Sequence, residues 1–250
     1  EISNVIELTE ADQLAINAIG KNPDIIVNSA FIKPNYELNE QEYTLGVDCF
    51  ASLADAIAAA SSGDVIYVFA GTYADELTIS VSYITIAGPN YNVHGNETRY
   101  SEANITGLTT ISANNVNVNG LKFSGNGAIK VGGNNTTISH IHMSATQVAC
   151  NGNNRKGCIV DSANISDLVV LNSKIDAPNN GSANSTFTNQ FMSFSNVTNL
   201  TISGNYITNS GATTTSGSGN YAGMRIYTVG GKLNITNNEF RWATNGYVMY

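Results

Sequence analysis

Three kinds of side chain in this sequence could do chemistry: histidines, cysteines and a thin scatter of carboxylates. The histidines are His94, His140 and His142. His140 and His142 flank Ile141, so strand alternation would put both on one side of an extended segment. Two imidazoles do not close a zinc-type site, so the chain reads as holding no metal. The cysteines are Cys49, Cys150 and Cys158. Cys150 and Cys158 bracket a polar loop and form the candidate disulfide, whose closure would contribute roughly 2–3 kcal/mol. The alternative is a pair of reduced, half-buried thiols. Zinc-type CxxC spacing is absent, and Cys49 reads as a small core residue. Asp161, Asp167 and Asp176 lie close in sequence. Asp167 falls in a turn and Asp176 in a loop, which leaves calcium a weak candidate and no cofactor as the expectation.

A second set of side chains suits binding rather than turnover. Aromatic residues collect late, at Tyr206, Tyr221, Tyr227, Phe240, Trp242, Tyr247 and Tyr250. Exposed rings beside Asn and Arg can stack on sugars; the same rings could instead fill corners of a core. Ten Asn-x-Ser/Thr sequons occur, with Asn180 and Asn184 in the loops best placed as glycosylation acceptors.

Composition narrows the partners. The chain has 250 residues and a formal net charge of -8, with 11 Lys and Arg against 19 Asp and Glu. The few cations are scattered, which argues against nucleic acid as a partner. The most apolar stretch, 53–70, is broken by Ser61, Ser62, Gly63 and Asp64, so no membrane span is expected. The chain starts at Glu1 without a basic and apolar leader and ends at Tyr250 after a strand-like segment. It reads as a processed piece of a protein that continues.

The elements that must position these residues follow from periodicity. Thr9 followed by Glu10 and Asp12 signals a helix start, and Gly20 and Pro23 its end. Short strands at 25–27 and 43–45 surround a turn near Asn39. A second helix over 53–60 has Ser52 and Asp55 at its start, with Phe50, Leu53, Ala54, Ile57 and Ala58 on one face. Then one template recurs, beginning at Ile84, Val116, Thr136, Leu168, Leu200 and Leu233, with spacings of 32, 20, 32, 32 and 33 residues. It is apolar-x-apolar, turn formers, then an apolar residue at the eighth position, with a further strand ahead of each later copy. One such unit cannot bury its apolar side alone; stacked units can. The variable length is expected in one corner, after the third strand, over 144–157, 176–190 and 208–222.

The run GDVIYVFAGTYADELTI, the helix before it and the VNVNGLKF-type repeat resemble right-handed parallel β-helix proteins of the pectin-lyase-like superfamily, in the style of large prokaryotic surface proteins. The resemblance covers 43–250. It implies an all-β, single-stranded right-handed parallel β-helix with an N-terminal amphipathic helix cap. The leader is 1–47 and the solenoid 48–250. It also implies an Asn ladder at the tight second turn, with Asn119, Asn172, Asn205 and Asn237 as members and His140 breaking the series. In the enzymes of this family the cleft lies on the first strand of each coil. The corresponding outward candidates here are Lys130, Asp161, Ser193, Arg225 and Tyr227.

Two readings of that face follow. A polysaccharide lyase, esterase or hydrolase acting on acidic glycans would use Asp161, Arg225 and Lys130; such sites need at least paired acids or an acid cluster, and Asp161 is the one acid placed there. The preferred reading is a non-catalytic, adhesin-like module, extracellular or at a cell surface, that binds glycans or acts as a stalk. Tyr227, Arg225, Tyr221 and Trp242 are its binding candidates, and Lys130, Asp161 and Arg225 are then solvating charges. Its partners are glycans or a host or neighbouring cell surface. A third reading is a subunit of a surface filament or layer, associating through open solenoid ends.

Overall fold

The computed structural model describes residues 4–146, 148–149, 156–176, 190–209, 222–227, 229–242 and 247–249. Val65–Val68 enters one sheet (sheet I), Gly71–Tyr73 a second (sheet II) and Leu77–Ile79 a third (sheet III). Thr85–Ala87 then returns to sheet I and pairs in parallel with Val65–Val68. The cycle repeats as far as Tyr247–Met249. Each round adds one parallel strand to each sheet; among the described residues sheets II and III hold seven each, and sheet I holds nine because Ile25–Val27 and Cys49–Phe50 also join it. The chain is therefore all-β in class, and its long parallel sheets form a solenoid-like stack.

Alternation fills the stack. In sheet I, Ile66, Ile86, Val118, Ile138, Val170 and Ile202 lie in register and are buried. In sheet II the matching row is Tyr73, Ile105, Phe123, Met143, Ile175 and Ile207. Each fully buried aliphatic side chain contributes about 1.5–3 kcal/mol, and a neighbouring coil is needed to bury it.

The first helix, α1 (Glu10–Ile19), has the expected N-cap at Thr9, closed as a capping box with Asp12. Its buried face is Ala11, Asp12, Ala15 and Ile16, whereas Leu14 points to solvent. Tyr67 Oη donates to Asp12 Oδ1 at 2.8 Å, pinning α1 to the first coil. A second core forms here, with Phe31 set edge-on to Phe69 and Tyr67 edge-on to Phe69. Burial pushes the Cys49 thiol in this core up to about 12. Ile25–Val27 also belongs to sheet I. It is built into sheet I between Cys49–Phe50 and Val65–Val68, so that sheet runs across residue 47. Asn35–Leu38 and Gln41–Thr44 form an antiparallel hairpin whose turn residues Asn39 and Glu40 have positive φ. The second helix, α2 (Leu53–Ala59), is capped by Ser52 and buries Leu53, Ala56 and Ile57 against the first strands of the stack, as a cap requires.

The insertion pattern differs from expectation in the first full coil. Its extra length, residues 88–102, lies between Thr85–Ala87 of sheet I and Ala103–Ile105 of sheet II, not after a sheet II strand. This segment runs as a strap along the stack. Its backbone passes so close to two turns that only glycine fits. A Cβ on Gly120 would sit 2.3 Å from Tyr91 N, and one on Gly95 would sit 2.0 Å from Lys174 N.

The turn under the strap, from sheet I to sheet II, is tight. Gly120, His140, Asn172, Gly204 and Asn237 occupy its left-handed position, with φ between 49° and 75°. The expected ladder of Asn119, Asn172, Asn205 and Asn237 is not a single row. Asn119 ends a strand, Asn172 and Asn237 take the left-handed position with His140, and Asn205 follows it. The hydrogen-bonded ladder runs one residue later: Ile141 N donates to Ser173 Oγ, Ser173 N to Asn205 Oδ1 and Asn205 N to Asn238 Oδ1.

Candidate functional site

Sheet III carries the face on which the sequence placed its candidates. Its outward row, read from register, is Thr78, Thr110, Lys130, Val160, Ser193 and Arg225. Asp161 is not in it. Asp161 stands in the inward row with Ile79, Ile111 and Val131, and is fully buried. Its Oδ1 accepts from Ser195 N at 2.8 Å and its Oδ2 from Asn196 N at 3.2 Å. The carboxylate therefore satisfies two backbone donors at the corner leading back to sheet I. Desolvation raises its pKa, against the lowering effect of those same N–H groups. Strand alternation puts Asp161 and Arg225 on opposite sides of the sheet. Lys130 and Arg225 lie three strands apart, about 14 Å at the usual strand spacing.

The middle of the row is covered. The backbone of Lys156–Gly157, paired antiparallel with Val148–Ala149, lies over it: a Cβ on Gly157 would approach Ser193 N and Val160 Cγ1 at 3.0 Å. Ser193 is accordingly buried, and Arg225 is buried as well, while Tyr227, just past the strand, is 64% exposed. Cys158 is a free, buried thiol; its Sγ donates to Ala145 O at 3.1 Å, and burial holds its pKa up at about 12. Cys150, Tyr221, Asn180 and Asn184 lie outside the described residues. The strand holding Trp242, Glu239–Trp242, belongs to sheet II, so Trp242 and Tyr227 are not on one face.

Asp161, Asp167 and Asp176 fall on three different sheets. Asp167 has positive φ and its Oδ1 accepts from Asn199 Nδ2 at 2.9 Å. Among the described residues no group of three His, Cys, Asp or Glu is placed to hold a metal ion.

The histidines gather with the strap instead. His94 Nε2 donates to Gly204 O at 2.7 Å while its Nδ1 accepts from Asn96 N. His140 Nε2 faces the Asn172 amide nitrogen at 3.3 Å. An amide nitrogen only donates, so this ring carries its proton on Nδ1. That Nδ1 is buried without a hydrogen-bond partner among the described residues. Arg99 closes the strap: its guanidinium forks onto Glu102 at 2.7 and 3.1 Å and also donates to His140 O at 2.9 Å.

Beside the strap, sheet II presents a row that the sequence reading did not single out. Asn104, Lys122, His142, Lys174, Tyr206 and Glu239 follow one another, one per coil. His142 Nδ1 is 4.0 Å from Glu102 Oε1. Burial, then Lys174, Lys122 and Arg99, hold the His142 pKa down at about 4, so the ring is neutral near pH 7. The ring of Tyr206 has the Arg241 guanidinium 5.7 Å from its centre.

No protein-family model, curated protein or solved structure matches this chain.

Proposed function

We propose that the chain is a right-handed parallel β-helix of the pectin-lyase-like kind, serving as a non-catalytic, adhesin-like module that binds glycans outside the cell or at a cell surface. The observation that carries this reading is the orientation of Asp161. The sheet III face keeps Lys130, the Thr78 and Thr110 hydroxyls and the exposed Tyr227 ring, while its one candidate acid is turned into the core and spent on Ser195 N and Asn196 N. A glycosidase or lyase needs an acid or base that reaches the sugar. A binding face needs rings and hydrogen-bonding groups, which Tyr227 and its neighbours supply.

The test is a glycan panel run on the purified chain, with detection of new reducing ends and of 4,5-unsaturated products in the same wells. Saturable binding without product is the expected result. Product formation on any glycan, with or without tight binding, would overturn the non-catalytic reading.

A further inference from the structure

The geometry points to a binding site for a linear sulfated polysaccharide on the outward face of sheet II, centred on Lys122, His142 and Lys174. The inference rests on the glycan-binding reading above and names a second face and a ligand class for it.

Lys122 and Lys174 are partly exposed and flank His142, one coil on either side. At the usual strand spacing their backbones are about 10 Å apart. Neither lysine makes an ion pair among the described residues, although the chain carries 19 acids to 11 Lys and Arg. The nearby acids are engaged elsewhere. Glu102 is gripped by Arg99, Glu239 pairs with Arg241, and Asp176 lies in the neighbouring outward row with a partner of its own. Two unpaired ammonium groups facing the same way on one sheet repel each other and add nothing to the core. An anion along the row would remove that repulsion.

The chemistry of the donors selects the anion. Lysine is a compact charge with three rotating donors, suited to a tetrahedral oxyanion. The planar carboxylate is better matched by an arginine fork, and the two arginines beside this row, Arg99 and Arg241, are engaged by Glu102 and Glu239. The row runs along the stack rather than inward, so it suits a ligand with charges repeated along its length. Neutral His142 offers a hydrogen bond between the charges, Asn104 lies one coil before Lys122, and Tyr206, in the coil beyond Lys174, offers a ring face to a sugar. The strap walls one side through Arg99 and Glu102.

Binding of dextran sulfate, unmodified dextran, polygalacturonate and polyphosphate to the intact chain tests this. The expected result is salt-sensitive binding of dextran sulfate, with the other three at least tenfold weaker. Lys122→Gln with Lys174→Gln should weaken dextran sulfate binding at least tenfold at an unchanged melting temperature. Lys33→Gln with Lys232→Gln, on other surfaces, should change it less than twofold. Undiminished binding by the Lys122/Lys174 variant overturns the proposal, as does polyphosphate or polygalacturonate binding as tightly as dextran sulfate. If dextran sulfate fails to bind while neutral glycans on the panel do, this site is refuted and the glycan-binding reading stands. If no glycan binds at all, both fall.

Discussion

The outward faces of sheets II and III are built from the same coils by the same alternation, yet they treat charge in opposite ways. On sheet III the candidate acid Asp161 sits at an inward register position and is used up by the backbone of the next corner. On sheet II the acid Glu102 stays outside but is held by Arg99, and two lysines are left over. A shift of one residue along a strand separates a buried structural carboxylate from a solvent-facing one. Residue type alone therefore says little about function in a solenoid; the register position of that type decides it.

The sharpest way to break this comparison is to remove the cation that holds Glu102 on one side and the Asp161 carboxylate itself on the other. Arg99→Ala strands Glu102 beside a half-buried surface and leaves His140 O without its Arg99 donor. It should cost about 3–5 kcal/mol, read by denaturant unfolding. Asp161→Ala removes the carboxylate that accepts from the buried Ser195 N and the part-buried Asn196 N, and should cost about 1–3 kcal/mol. Asp161→Asn, which keeps one acceptor oxygen, should cost less than the alanine variant. A neutral effect of Asp161→Ala would mean that the carboxylate is not structural.

The histidines give a pH signature that belongs to the strap and sheet II side alone. His140 is pushed down to about 4 by burial, then by His94 and Arg99; His142 is pushed to about 4 by burial, then by Lys174, Lys122 and Arg99. Both bind protons more readily when unfolded, where the ordinary value is 6.5. Their neutral forms therefore contribute stability that is present above pH 6.5 and is lost as pH falls toward 4. Melting temperature should decline through that window, and His140→Asn, which suits the left-handed position, should flatten the decline. The smallest expected effect on stability is at Tyr227: replacing this exposed ring by alanine should shift stability by less than about 0.5 kcal/mol.

Much of this architecture was readable because alternation and turn residues are local. The template starts at Ile84, Val116, Thr136, Leu168, Leu200 and Leu233 fall in sheet I strands or directly before them, and the three-strand cycle follows. Two features were misplaced for physical reasons. A spacing of 32 residues gives the length of an insertion but not its corner, so the strap over 88–102 departs from the expectation of a single variable corner. The resemblance places Asp161 among the outward candidates because it identifies the strand but not which residues of that strand face out. Counting from Ile159 would have put Val160 outward and Asp161 in line with Ile79, Ile111 and Val131. The lysine row was also legible: Lys122, His142, Lys174 and Tyr206 all precede the apolar residue that closes the template.

The most direct test of the account is to run wild type, Asp161→Asn and Tyr227→Ala side by side on the same glycan panel, with product detection. The account predicts saturable binding without product by wild type, the same binding by Asp161→Asn, and at least tenfold weaker binding by Tyr227→Ala. Product made by wild type and lost in Asp161→Asn would contradict it, because the buried carboxylate would then be reaching substrate.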